Sequence, residues 1–380
     1  MTVLVTGADG YLGWPTCLRL ARRLDERVVG VDSGARRRWV EEVGCRSANP
    51  IDDPEDRFAA EPNMSYVEGD LGDPSVVKEL LEVHQPRTVI HAAAQPSAPY
   101  SQINGERALY TQRNNVGMSV NLLWGLEECG LDDSHYVETT TTGVYGAPEF
   151  EIPEGGVTVE RDGDSDDVPF PAMGGSWYHQ TKTFDAANMR LADTQWGQPV
   201  TDVRTAIVYG ASTPETCETD LHTRFDFDYY FGTVVNRFCA QAVAGYPLTV
   251  YGKGEQRKPM VSLDDAVESL VRLAERGHGG DGFEVYNQVN RPVSIVGLAE
   301  TIQDVGEEYG LDVEITHVEN PREEDEEHKM EMANDAFDEL LDGDFLSLEE
   351  GIRDVLSTLT EHRDRVVAHE DRFLPEVLIE

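Results

Sequence analysis

The chain has 380 residues, 39% of them hydrophobic and 34 of them glycine, enough to bury the core of one large α/β unit or two closely joined ones. Its 72 acidic residues outnumber 31 basic ones, giving a formal charge of −41 that argues against nucleic acid as a partner, since phosphate binding needs clustered Lys and Arg. No apolar run approaches the roughly 20 residues of a membrane helix, so no membrane insertion is expected. The N-terminus runs straight into a strand-like segment, without the basic start of a secretory signal. Cys17, Cys45, Cys129, Cys217 and Cys239 form no CxxC pair and read as reduced thiols. Because the acids are spread along the chain, they read as a surface kept hydrated in high salt. A halophilic, cytoplasmic protein is expected.

In chain order, strand-like runs at 3–6, 28–32, 65–68, 88–91, 135–139 and 201–208 alternate with helical spacing at 12–24, 75–83, 115–128 and 178–196. This alternation predicts a Rossmann-type, doubly wound parallel sheet with helices on both faces. After Gly210 the pattern changes. Residues 213–231 read as a long loop or partly helical insertion, 231–245 as a helix and 248–251 as a short strand, with a mixed α/β tail. A cofactor-binding domain over 1–210 is therefore expected, with a smaller C-terminal α/β lobe over 211–380, interleaved with it, that binds substrate. The acidic run 323–327 reads as a solvated face.

Three patterns carry chemistry. Gly7-Ala8-Asp9-Gly10-Tyr11-Leu12-Gly13 follows a strand and opens a helix, so its backbone can approach a pyrophosphate at the helix N-terminus. Asp32, 19 residues beyond Gly13, ends the second strand and can accept from both ribose hydroxyls. Its carboxylate would repel a 2′-phosphate, which favours NAD despite Arg36, Arg37 and Arg38. Asp70 and Leu71 stand where an adenine edge would be met, and His91 reads as a structural histidine. Tyr178 and Lys182 share one helix face, where the ammonium favours the phenolate and makes the Tyr usable as a base. Upstream, Thr139 to Thr142 and then Gly143-Val144-Tyr145-Gly146 offer a hydroxyl at the same sheet edge. No metal-ligand spacing is present, so no metal is expected.

Together these motifs resemble extended short-chain dehydrogenases/reductases of the epimerase/dehydratase type, and among them most closely the UDP-sulfoquinovose synthases. The resembling segments run from Gly7–Trp14 through Ser97-Ala98-Pro99-Tyr100-Ser101, Trp177-Tyr178-His179, Phe231-Gly232-Thr233 and Asn236-Arg237-Phe238 to Asn320-Pro321-Arg322. The resemblance implies an NAD-dependent enzyme that turns UDP-glucose, or a related UDP-hexose, and sulfite into UDP-sulfoquinovose through 4-keto and 5,6-ene intermediates. Sulfite would come free or from a delivering protein, and the enzyme would be a homodimer. It also implies roles: Thr141 binds the substrate hydroxyl, Tyr178 is the redox base, and Lys182 lowers its pKa and holds the nicotinamide ribose. Gly7, Gly10, Tyr11, Leu12, Gly13, Asp32, Ser33, Arg36, Asp70, Leu71, Ala92, Asn114, Tyr178, Lys182 and Val208 would line the cofactor. Gln95, Thr205, Lys258 and Arg322 would face the UDP-sugar, with Arg257 as a substitute for an arginine that the family carries where Lys258 stands.

The sequence departs from that family at Pro96, where an arginine is usual, and at Val144, where an acid is usual. The Asp-Glu pair that sugar 4,6-dehydratases place after the catalytic Thr is Thr142-Gly143 here, so His179 is the candidate for the additional proton-transfer or sulfite-contact group. A UDP-sugar 4-epimerase, or another nucleotide-sugar epimerase/dehydratase, is the alternative. It would need only Thr141, Tyr178 and Lys182. A non-catalytic protein that kept the fold is a third possibility, against which the joint presence of those three residues speaks.

Overall fold

A computed structural model describes residues 1–146, 148–170, 173–280, 282–319 and 330–375. The strands are β1 (Thr2–Thr6), β2 (Arg27–Asp32), β3 (Met64–Glu68), β4 (Thr88–His91), β5 (His135–Thr139), β6 (Gly156–Arg161), β7 (Asp164–Pro169), β8 (Val200–Thr205), β9 (Ile207–Tyr209), β10 (Leu248–Tyr251), β11 (Arg257–Ser262), β12 (Phe283–Gln288), β13 (Arg291–Ser294) and β14 (Ile315–Val318). Seven of them form one parallel sheet in the order β12-β8-β5-β4-β1-β2-β3. The fold is the doubly wound Rossmann type. Its strands are covered on both faces, so Val3, Leu4, Val5, Val28 and Val29 are all fully buried, as runs of β-branched and aliphatic residues in a parallel sheet must be. One face packs on the helices Gly13–Arg23 and Leu263–Arg276. The other packs on Pro74–His84, Gly105–Glu128 and Trp177–Trp196.

The order of the sheet reverses between β1 and β4, and in open α/β sheets ligands bind beyond the strand C-termini at such a reversal. Around that end lie β9, β11 and β13 as a three-stranded sheet, and β10 with β14 as a pair. These enclose a second core that includes Phe225, Phe227, Phe238 and Leu298.

Two expectations need correction. The strand-like run 201–208 is not one strand: it breaks at Ala206, with β8 staying in the large sheet and β9 pairing with β11. The apolar pattern is continuous across the break because both halves are buried. The helix expected at 115–128 begins ten residues earlier, at Gly105, where Asn104 caps it by accepting from the Arg107 N–H at 2.9 Å. Its polar first turns hid the period, and packing against Trp177–Trp196 sustains them. The 213–231 stretch contains one short helix, Pro214–Thr219, before irregular chain, and the expected 231–245 helix is Val234–Ala244.

Candidate active site

A cavity of about 450 Å³ opens at the C-terminal ends of β1, β2, β4, β5 and β8. Its floor is the glycine turn. Gly7 has φ +70°, and a Cβ on Gly13 would stand 2.0 Å from the Gly7 carbonyl oxygen, so turn and helix approach as closely as they do only without side chains. Gly7, Gly10, Tyr11 and Leu12 line the cavity, with Gly13 packed behind them. The Tyr11 hydroxyl donates to the Gly210 carbonyl at 2.5 Å and accepts from Asn236 at 3.3 Å, tying the turn to the second core.

At the end of β2, Asp32 accepts from the N–H groups of Asp9 at 3.0 Å and Gly34 at 2.7 Å, and its carboxylate borders the cavity beside Ser33. The three arginines that follow are already engaged. Arg36 pairs with Asp226 at 2.8 Å, Arg37 holds Asp9 through two bonds, and Arg38 donates to the Ser33 carbonyl. Arg36 lines the cavity and stacks 4.2 Å over the Phe231 ring, and its buried Nη1 has no hydrogen-bond partner. Leu71, Ala92, Asn114 and Val208 also line the cavity. Asp70 does not: it is exposed and turns back to accept from its own Gly72 N–H at 2.9 Å. That carboxylate closes an Asx turn.

The opposite end of the cavity holds Thr141, Tyr178, His179 and Lys182. Ser176 starts the helix Trp177–Trp196 by accepting from the His179 N–H at 3.1 Å, which fixes Tyr178 and His179 in the first turn with Lys182 one turn on. Thr141 caps the short turn after β5, its Oγ1 accepting from the Gly143 N–H at 3.1 Å. A Cβ on Gly143 would meet the His179 ring at 2.5 Å, so the imidazole fills the space that a side chain at 143 would need. The Tyr178 and His179 rings lie 5.3 Å apart.

The electrostatics differ from the expectation in one respect. Burial raises the Tyr178 pKa above its ordinary value; Lys182 pulls it down, but Asp185 and Glu138 push it up again. The ammonium of Lys182 is itself buried and spends its charge on Glu138 Oε1 at 2.9 Å and Asp185 Oδ2 at 3.3 Å. His91 has the expected structural role: fully buried, bonded to Thr6 Oγ1 at 2.7 Å, and pushed down to about 4 by burial.

Among the residues expected to face the sugar nucleotide, Thr205 and Lys258 line the cavity. Gln95 does not. It is fully buried beneath the loop, its amide donating to Thr111 Oγ1 at 2.8 Å and accepting from the Ser97 N–H at 2.6 Å. Arg257 is exposed and donates to the Pro292 carbonyl, because alternation along β11 turns it away from Lys258's face. Arg322 lies outside the described residues, as does the acidic run 323–327. Pro96 borders the cavity, and Val144 is buried with Tyr145, Ile152 and Phe170, where an acid would be desolvated. Sequence reasoning missed Arg237, which is 4% exposed, lines the cavity and stacks 5.8 Å from the Tyr251 ring. An arginine within the apolar period of a helix was the available signal.

A nucleotide turn, an acid closing the second strand, and a Thr/Tyr/Lys trio across one cavity define an NAD-dependent short-chain dehydrogenase/reductase site. In keeping with this, residues 3–287 match the NAD dependent epimerase/dehydratase family, and the chain belongs to it. More narrowly, it is 40% identical to the UDP-sulfoquinovose synthase of Sulfolobus acidocaldarius over 86% of this chain and 84% of that protein. It is 37% identical to the chloroplastic UDP-sulfoquinovose synthase of Spinacia oleracea, over 96% of this chain and 76% of that one. The UDP-glucuronic acid 4-epimerase of Bacillus cereus, solved with UDP-glucuronic acid and NAD, shares the fold, with a TM-score of 0.70 at 19% identity over 95% and 99% of the two chains. NAD is the cofactor. The residues present fit it: the side-chain-free cradle of Gly7 and Gly10, backed by Gly13, borders one cavity with Asp32 and with Arg36, whose buried Nη1 has no hydrogen-bond partner.

Proposed function

We propose that the chain makes UDP-sulfoquinovose and water from UDP-glucose and sulfite. The hexose is oxidised at C4, loses water across C5–C6, gains sulfite at C6 and recovers its hydride at C4. The observation that carries this reading is the seating of His179 against Gly143, beside Tyr178 and Thr141, in a chain that shares 40% identity with a protein of that activity. When bound, NAD would supply a reversible hydride acceptor and a positive charge. Tyr178 takes the C4 hydroxyl proton and later returns it, while Thr141 holds that hydroxyl in line. A C4 carbonyl acidifies the C5 proton. His179 then stands where sugar 4,6-dehydratases put a carboxylate, ready to move protons at C5 and at the departing C6 hydroxyl. Lys258 and Arg237 bring positive charge to the sugar-nucleotide end, where a diphosphate needs it; Arg237 offers the guanidinium fork that Pro96 cannot.

The same reading assigns 1–210 to the cofactor and 211–380 mainly to the UDP-sugar. It also makes the protein a cytoplasmic one adapted to high salt, fed with free or protein-delivered sulfite. No helix among the described residues is long and apolar enough to cross a membrane. A homodimer belongs to the proposal as well: Leu109, Trp124, Phe184 and Leu191 are exposed on the helices Gly105–Glu128 and Trp177–Trp196, which pack side by side. Light scattering of the purified protein tests that point, and a monomer at micromolar concentration counts against it.

The deciding experiment incubates the protein in concentrated salt with UDP-glucose, with and without sulfite, and weighs the products. A sulfonated UDP-hexose formed only with sulfite is expected. UDP-galactose formed irrespective of sulfite would overturn the reading in favour of an epimerase.

A further inference from the structure

Behind the Tyr178 helix lies a buried polar cluster that no motif announced. Glu138, on β5, is 0% exposed. Its Oε1 accepts from Lys182 Nζ at 2.9 Å, and its Oε2 accepts from the Tyr136 hydroxyl at 2.8 Å and the Ser119 hydroxyl at 2.9 Å. Asp185, also buried, reaches the same ammonium at 3.3 Å and accepts from no other N–H or O–H among the described residues. Two carboxylates thus compete for one ammonium, and they are unequal. Glu138 carries three donated hydrogen bonds, whereas Asp185 has the ammonium as its one donor and otherwise meets the Glu138 carboxylate, to which it can donate only when protonated. A buried carboxylate with so little support keeps its proton. Directions of titration agree with the geometry. Burial would raise both acids, but Lys182 holds Glu138 below its usual range, while the anion of Glu138 helps drive Asp185 well above it.

The difference matters because of where each acid sits. Asp185 is three residues beyond Lys182 on the helix, and Tyr178 is four residues before it, so an ammonium drawn towards Asp185 leaves the phenol. Glu138 approaches from the sheet and holds the ammonium back. We propose that Glu138 is a positioning residue: its anion anchors the Lys182 ammonium beside Tyr178 and keeps Asp185 protonated, whereas without it Asp185 ionises and draws the ammonium along the helix away from the phenol, so that Glu138 sets the pH at which Tyr178 accepts the substrate proton. This rests on the reading of Tyr178 as the base at C4. The other groups around Glu138 are accounted for. His91, next to it on β4, is neutral; Asp202, next to it on β8, is taken up by Arg204 at 2.8 Å; Tyr136, Ser119, Tyr178, Lys182 and Asp185 complete the set.

Two measurements test it. With saturating NAD and UDP-hexose, the pH profile of hexose oxidation is compared for wild type, Glu138→Gln and Asp185→Asn. Glu138→Gln is expected to move the acid limb up by about one pH unit and to lower kcat at least tenfold with KM within twofold. Asp185→Asn is expected to leave the limb within about 0.3 units, and Glu138→Asp to restore part of the shift. The second measurement needs neither substrate nor cofactor. The chain has five lysines, so the Lys182 side-chain resonance of lysine-labelled protein can be followed with pH, and it should titrate lower in Glu138→Gln than in Asp185→Asn. Equal behaviour of the two variants in the resonance would overturn the proposal. The expected resonance shifts without any hexose oxidation in the wild type would instead sink the functional reading and leave the anchoring intact. If Glu138→Gln does not fold, Tyr136→Phe carries the test, since it removes one hydroxyl from Oε2 and keeps the ring. A smaller upward shift of the limb supports the proposal, and an unmoved limb overturns it.

Discussion

The two ends of the cavity are built on different plans. The adenosine end comes from neighbouring stretches of chain: the turn Gly7–Gly13, then Asp32 and Arg36. The sugar end is gathered from residues far apart in sequence: Thr141 after β5, Tyr178 and His179 on one helix, Thr205 at the end of β8, Arg237 on a helix of the second core and Lys258 on β11. Damage to the first should therefore stay local and register as cofactor affinity. At the second, small displacements propagate into the chemistry, because the reacting groups are held by separate elements that must agree in position.

The largest effect that bears on this contrast is expected for Tyr178→Phe, which removes the base and should cut turnover about 10³-fold while calorimetry still finds NAD bound at wild-type affinity. Weakened NAD binding in that variant would mean that the two ends are not separable. Next comes Gly143→Glu. It introduces the dehydratase-like carboxylate where the His179 ring already stands, so it should lower sulfonation about 100-fold through displacement of the imidazole; unchanged sulfonation would remove His179 from the mechanism. Lys258→Ala should raise the KM for UDP-glucose about tenfold, the value of one lost charged hydrogen bond, whereas its exposed neighbour in Arg257→Ala should change it less than twofold. Similar effects from both would show that β11 does not present a single face to the substrate.

The smallest effect concerns Asp228, in the irregular chain that frames the sugar end. Burial and the neighbouring Asp226 push this carboxyl up to about 6. A folded-state pKa above the unfolded one means that stability is complete below about pH 4 and declines as pH rises through 6. Asp228→Asn keeps an oxygen for the Tyr230 and Phe231 N–H groups and should raise Tm by about 1–2 °C at pH 8, with the gain vanishing towards pH 4. A loss of stability at pH 8 would show that the charge itself holds the loop.

Legibility in the sequence follows the same division. The glycine turn, Asp32 and the Tyr178–Lys182 spacing are local, and each folds as its own residues dictate, so the Rossmann sheet and the cofactor end could be read directly. Gln95 and Arg257 could not be placed, because their environments are set by partners elsewhere: Ser97 and Thr111 for one, the Pro292 carbonyl and strand alternation for the other. Tyr178 was read as acidified by its lysine. Spacing along one helix cannot reveal that Glu138, on a different strand, occupies that lysine's charge. Arg237 went unassigned for a related reason: within a helical apolar period, an arginine bordering a cavity resembles one bordering solvent.

Strand β12 has a consequence for biogenesis. It covers the edge of β8, and β8 in turn flanks β5, which carries Glu138 and leads into Thr141. On the ribosome, every segment of the sheet except β12 emerges before residue 283, so a nascent chain at that stage exposes an unpaired parallel edge next to its own catalytic strand. Such an edge invites pairing with another chain. Fragments ending before Phe283 are therefore expected to aggregate, even though they contain Thr141, Tyr178 and Lys182.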